Sequence, residues 1–243
     1  MLVKDEGVVL RVARSGESSL LVTFLSRGMG KVRLLAKGVL GPRQPSRGML
    51  DVGNHLEALF YYKEGRNVYY LKEASLLSPP WPNRESLPHL AACLAVAELL
   101  DQVCYAGGAD ESVLDLAVDF VRAGGGDDPL LLFLAFELKL LMSLGTYPEL
   151  TRCAVCGDEV AGGEYDAREG ESRCSRHTTG IVDSVALSGE LLLAARECTD
   201  IPLEELSRKT IRREARKELG KLVHWTYTYH VQGYSLPKSL TLI

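Results

Sequence analysis

Residues 78–88 read SPPWPNRESLP, and their four prolines separate two kinds of hydrophobic pattern. Proline lacks a backbone N–H and has a fixed φ, so neither a sheet ladder nor a helix can run through such a segment. Upstream lie five short runs rich in β-branched and aromatic residues: GVVLRVAR, SLLVTFLS, KVRLLAK, HLEALFYYK and NVYYLKEASLL. Separated by turn-forming residues, they read as five strands. In YYKEGRNVYY, Gly65 supplies a hairpin turn, and each tyrosine pair (Tyr61 and Tyr62, Tyr69 and Tyr70) turns one ring inward and one outward. Five strands this short close into a barrel more readily than they form an open sheet, because closure removes exposed edges.

Downstream the period becomes helical. HLAACLAVAELLDQVCYAG, ESVLDLAVDFVRAG and DPLLLFLAFELKLLMSLG have helical spacing and punctuating glycines, and Asp128 before Pro129 marks a capped start. The third is apolar nearly all round, which suits the central helix of a bundle. Farther on, Ser188 can cap GELLLAARECT, and the spacing predicts an amphipathic helix over residues 203–232. Ile211, Ala215, Leu219 and Leu222 would form its apolar face, with Arg208, Arg212 and Arg216 stacked at i, i+4 on another. The expected organisation is an α+β multidomain chain: a barrel over 1–79, a helical domain over 80–149 and 181–243, and an inserted module over 150–180.

That module holds Cys153 and Cys156, then Cys174 and His177, each pair two residues apart. Two such pairs can present three thiolates and an imidazole to one tetrahedral ion, and zinc is the expected metal for a Cys₃His set with no redox demand. Gly157 permits the tight turn after the second thiolate. With every position filled by protein, the ion would be structural. Residues 151–180 are poor in large apolar side chains, so metal binding supplies what burial cannot. Cys93, Cys104 and Cys198 stand singly in apolar helices, where a thiol acts as a small hydrophobe.

The formal charge is −4, yet the first 80 residues carry a net +5 and the remainder −9; from Ser18 to Leu50 there are six basic residues and no acidic one. One end of the chain is thus suited to a polyanion. Lys31, Arg33 and Lys37 alternate onto one side of a strand, and Arg43 and Arg47 lie in the loop that follows. Small barrels bind single strands by pairing a basic groove with aromatic faces, and the outward tyrosines are candidates for stacking. Catalytic signatures are missing: no GxSxG, HExxH, GxxxxGK[ST] or GxGxxG occurs. A binding protein rather than an enzyme is expected, located in the cytoplasm, since no segment has the apolar length of a membrane span. A zinc-stabilised protein adaptor and an RNA-binding barrel protein fit the same pattern.

Two stretches carry a family resemblance. GVVLRVARSGESSLLVTFLSRGMGKVRLLAKGVLGPRQPSRGML resembles the N-terminal barrel of the RecO family of bacterial recombination mediators, in its GES turn, LAKG strand end and basic loop. FELKLLMSLGTYPELTRCAVCG is similar to that family's helix leading into its zinc module. The resemblance implies an oligonucleotide/oligosaccharide-binding (OB) barrel, a helical domain and one structural zinc, without catalysis. It further implies binding of single- and double-stranded DNA, annealing of complementary strands, and work with RecR and RecF to load RecA onto DNA coated by single-strand-binding protein. DNA contacts would fall to Lys31, Arg33, Lys37, Arg43 and Arg47, with RecR docking on the barrel and the protein associated with the bacterial nucleoid. The acidic tail of single-strand-binding protein would meet the helical domain, with Arg208, Arg212 and Arg216 as candidates. Many zinc-bearing members have a cysteine where this chain has His177, a swap zinc accepts.

Overall fold

The first strand does double work. In the computed structural model, which describes residues 1–40, 45–78, 85–108, 110–124 and 126–242, β1 (Leu2–Arg14) pairs antiparallel with β4 (His55–Tyr61) through its first half and with β2 (Leu20–Ser26) through its second. A register shift between Val9 and Arg11 bends the strand, as a bulge does. At the changeover, a Cβ on Gly7 would sit 1.9 Å from the Leu25 carbonyl oxygen, so only glycine lets the two backbones approach. With β3 (Gly30–Ala36) and β5 (Tyr69–Leu76), the strands close in the order β1-β2-β3-β5-β4. The closing β3–β5 pair is parallel and short, registering Leu34 with Tyr69 and Leu35 with Tyr70. This is an OB-type barrel. Val9, Val22, Phe24, Leu34, Leu56 and Phe60 fill it.

The chain divides into two compact units, residues 1–125 with 237–243, and residues 126–236. In the first, α1 (Leu87–Val103) and α2 (Glu111–Ala123) accompany the barrel. The turn after α1 clips to the start of β3: Lys31 N donates to the Tyr105 carbonyl (3.1 Å) and Gly107 N to that of Met29 (3.1 Å). Arg27 ties Glu6 of β1 (2.6 Å) to Asp115 of α2 (2.7 Å). The C-terminal 3-10 turn, Lys238–Leu242, returns to α1, where Lys238 N donates to Glu98.

The second unit is built on α3 (Pro129–Ser143), buried continuously from Leu131 to Leu138. Asp128 caps it, accepting from Leu131 N at 3.0 Å, and Ser188 caps α4 (Gly189–Asp200), accepting from Leu191 N at 3.1 Å. Between them lies a small sheet, order β7-β6-β8, of β6 (Gly163–Asp166), β7 (Glu171–Cys174) and β8 (Ser184–Leu187). Tyr165 of β6 is fully buried, and its hydroxyl accepts from Thr226 at 3.1 Å. The module is therefore a sheet with a core residue of its own.

The helix expected over residues 203–232 is broken. A short α5 (Leu203–Leu206) ends before α6 (Arg213–His230) begins. The Ser207 carbonyl accepts from Asp127 N (3.0 Å), and a Cβ on Gly126 would lie 2.6 Å from that oxygen. Buried Leu203 and Leu206 and this tight backbone contact fix α5 locally, overriding the periodic pattern. Ala215, Leu219 and Leu222 are buried on α6 as the spacing requires, whereas Ile211 precedes the helix. Among the described residues, no helix is long and apolar enough to cross a membrane.

Candidate metal centre and nucleic-acid interface

Two tight turns face each other in the small sheet's unit. Gly157, at φ +75°, closes the first by donating to the Cys153 carbonyl (2.8 Å), and His177 N closes the second on that of Cys174 (2.8 Å). The turns bring Cys153, Cys156, Cys174 and His177 together with all four ligand atoms within 4.8 Å of one another. Sγ of Cys153 and of Cys174 lie 3.6 and 3.3 Å from His177 Nδ1, and Cys156 Sγ lies 4.0 Å from Cys174 Sγ. A tetrahedral ion with thiolate bonds near 2.3 Å needs edges of about 3.6–3.8 Å, so the set fits one.

The electrostatics of Cys153 and Cys174 suit a metal as well, whereas desolvation and these two neighbouring sulfurs raise the Cys156 thiol. Backbone N–H groups of Cys174, Cys156 and Val155, with the His177 ring, hold the Cys153 thiol down to about 5. The Arg176 N–H and the His177 ring lower Cys174 likewise. Cys153 and Cys174 are buried and Cys156 is exposed. Beside Cys156, the Arg176 guanidinium donates toward the sulfur at 3.7 Å while paired with Asp158. All four positions belong to protein, leaving none for substrate.

On the barrel, Val32, Leu34 and Ala36 point inward, so Lys31, Arg33, Leu35 and Lys37 face out. Lys31 and Arg33 line a groove of about 520 Å³ bounded also by the β4–β5 hairpin, with Tyr62, Arg66 and Tyr69 on that side. Both Arg33 and Arg66 are exposed. Lys31 is engaged differently: its ammonium meets the Asp101 carboxylate at 3.1 Å and the same residue's carbonyl. Lys37 lies outside the groove, its ammonium 4.5 Å from the centre of the Tyr70 ring, a cation–π contact. Arg43, and the side chain of Arg47, lie outside the described residues. Of the tyrosines, Tyr62 and Tyr69 pack toward the core while Tyr61 and Tyr70 are 51% and 40% exposed. Sequence reasoning overlooked Arg66; the signal was its place in the turn of the hairpin.

The arginines expected to form one stripe do not stack. Arg208 pairs with Glu204 (3.9 Å), Arg212 with Glu190 (2.6 Å) and Arg216 with Asp128 (2.6 Å). Only Arg216 lies on α6, and each charge already has an acidic neighbour.

Comparison with known proteins follows the same order of parts. Residues 1–80 match the family model described as recombination protein O N terminal, and residues 84–240 match recombination protein O C terminal. A DNA repair protein RecO from Pelotomaculum thermopropionicum is 27% identical over 232 residues, covering 95% of this chain and 90% of its own. Those from Exiguobacterium sibiricum and Desulfitobacterium hafniense strain DCB-2 are 31% identical (77% and 75% covered) and 30% identical (88% and 80% covered). With an OB-type barrel, the helices after it and a Cys₃His cluster in sequence, the chain belongs to the RecO family of DNA repair proteins.

Proposed function

We propose that this chain is a non-catalytic recombination mediator. It binds single- and double-stranded DNA, anneals complementary strands, and acts with RecR and RecF to load RecA onto DNA coated by single-strand-binding protein. The observation that carries the reading is the barrel groove, whose lining combines exposed Arg33 and Arg66 with the half-buried rings of Tyr62 and Tyr69. It supplies free cations for phosphates and aromatic surface for bases, the pairing used by barrels that hold single strands without reading sequence. Lys37, beside the groove, and Arg43 and Arg47 would extend the contact along the backbone. Annealing needs no bond chemistry, because neutralising phosphates removes the repulsion between strands and releases counterions.

The metal is zinc, held by Cys153, Cys156, Cys174 and His177. It serves to fix the two turns and the sheet between them. Docking of RecR on the barrel is supported by an outward row of apolar side chains in lateral register, Leu2, Tyr61, Tyr70 and Leu35. The acidic tail of single-strand-binding protein would be met by Arg208, Arg212 or Arg216 through exchange of their present acidic partners. Location in the bacterial cytoplasm, at the nucleoid, follows from these roles.

Strand annealing in the presence of single-strand-binding protein, with metal content measured on the same sample, tests the proposal. Accelerated annealing by protein holding one zinc per chain is expected. No acceleration, or cleavage of labelled DNA by clean protein with divalent ions, overturns it.

A further inference from the structure

One row of cations in the second unit is left without acidic partners. On α6, Arg213, Lys217, Lys221, Trp225 and Tyr229 recur every fourth residue, so they follow one inclined ridge that winds about 160° around the helix, with the three cations within about 80° of one another. Arg213, Lys217, Lys221 and Tyr229 are exposed and Trp225 is half-buried. None of the three cations has an ion pair among the described residues, in contrast to Arg208, Arg212 and Arg216. Of the acids nearby on the helix, Glu218 accepts from the Ser188 hydroxyl at 3.0 Å and Glu214 is exposed, and neither makes an ion pair with the row among the described residues. The region beyond residue 80 carries a net −9, so an unpaired row of like charge there runs against the local trend.

The aromatic end is organised. The Trp225 and Tyr229 rings stand 6.0 Å apart and 23° from parallel, and the Arg168 guanidinium lies 5.7 Å from the centre of the Tyr229 ring. The Tyr229 hydroxyl donates to Asp183 (2.7 Å), which also pairs with Arg168 at 2.7 Å, so the acid is already neutralised. Asp183 holds a left-handed φ of +70°, and its neighbour Val182 is 82% exposed beside this cluster. From Arg213 to Tyr229 the row extends about 24 Å along the helix.

From this juxtaposition we infer a second single-stranded nucleic-acid site, separate from the barrel groove: Arg213, Lys217 and Lys221 meet successive phosphates, and Trp225 with Tyr229 stacks a base. Cations alone would suit any polyanion. Cations continued by a parallel aromatic pair suit a strand with unpaired bases. The site belongs to a different compact unit from the groove, and the inference deepens the annealing reading, in which two strands are brought together.

Trp81 and Trp225 are the chain's two tryptophans, so the full chain carrying Trp81→Phe reports on Trp225 alone. Titration with an oligo-dT in dilute buffer should quench its fluorescence. The triple substitution Arg213→Gln, Lys217→Gln and Lys221→Gln, all at exposed positions with circular dichroism unchanged, should weaken the quenching midpoint on the order of 100-fold at 0.1 M salt, as three phosphate contacts on a single strand imply. Arg33→Gln with Arg66→Gln should leave the quenching intact, which separates this site from the groove reading. The inference is overturned by absent quenching, by a triple variant that binds as before, or by equal quenching with a poly-glutamate of similar charge, which would point to an acidic protein segment instead.

Discussion

Neutralising the groove cations separately distinguishes those free to meet a phosphate from one already engaged within the fold. Arg33 and Arg66 are exposed and make no ion pair among the described residues, whereas the Lys31 ammonium is held 3.1 Å from Asp101 and is 25% exposed. On a single strand each phosphate contact contributes about 0.7 to the slope of log affinity against log salt. In a chain already carrying Arg213→Gln, Lys217→Gln and Lys221→Gln, adding Arg33→Gln and Arg66→Gln should lower that slope by about 1.4, close to 25-fold in affinity at 0.1 M salt. Lys31→Gln should leave the slope nearly unchanged and instead cost about 1 kcal/mol or less of stability, the range for a partly exposed pair. Fluorescence anisotropy of a labelled oligo-dT over a salt series, with urea melts of each variant, reads both quantities. A Lys31→Gln slope change of about 0.7, that of one full phosphate contact, would refute the reasoning, since it would mean the Asp101 contact does not hold in solution.

Gly7→Ala should destabilise the barrel by about 1–3 kcal/mol in urea unfolding, because its Cβ would meet the Leu25 carbonyl and the strands must part to admit it. Cys153→Ser should abolish stoichiometric zinc and expose the amides of the β7-β6-β8 sheet to hydrogen exchange, with those of the barrel strands still protected; protection retained in both would show that the metal is dispensable for the module. Asp128→Ala removes a helix cap and the partner of Arg216 together, and a loss of about 1–2 kcal/mol is expected by chemical denaturation. Burial pushes the Glu137 carboxyl well above its ordinary value of 4.5, so the folded chain keeps a proton that the unfolded chain releases. Its contribution is full below the unfolded value and is lost as pH rises toward the folded one. Glu137→Gln should therefore gain stability relative to the parent as pH rises above 4.5, and a constant difference across pH would exclude the effect.

The five strands, their closure and the buried third helix were legible because each shows in a local period: alternation for the strands, apolar residues nearly all round for α3. The Cys₃His cluster was legible from spacing alone, since two intervening residues within each pair keep its two side chains on one tight turn. What escaped depends on partners distant in sequence. The break between Leu206 and Arg213 arises from Ser207 meeting Asp127, a contact no helical period encodes. Which arginines have acidic neighbours was equally hidden, because Glu190 and Asp128 approach Arg212 and Arg216 only through the fold. The small sheet was obscured by glycines and charges, although Tyr165 at its centre is an aromatic strand residue. Several of those charges are paired within the sheet, as where Arg173 bridges toward Glu164 at 3.9 Å and Asp166 at 3.3 Å.

The ring of strands has one narrow joint, the two-residue parallel register between Leu34–Leu35 and Tyr69–Tyr70. Arg33, next to the joint on β3, and Tyr69, within it on β5, both line the groove. A strand of DNA laid across both would act as a clasp over the seam where the cylinder is least stitched. Occupancy should then appear first as slowed amide exchange at that joint, well before any change at the densely paired β1–β2 wall.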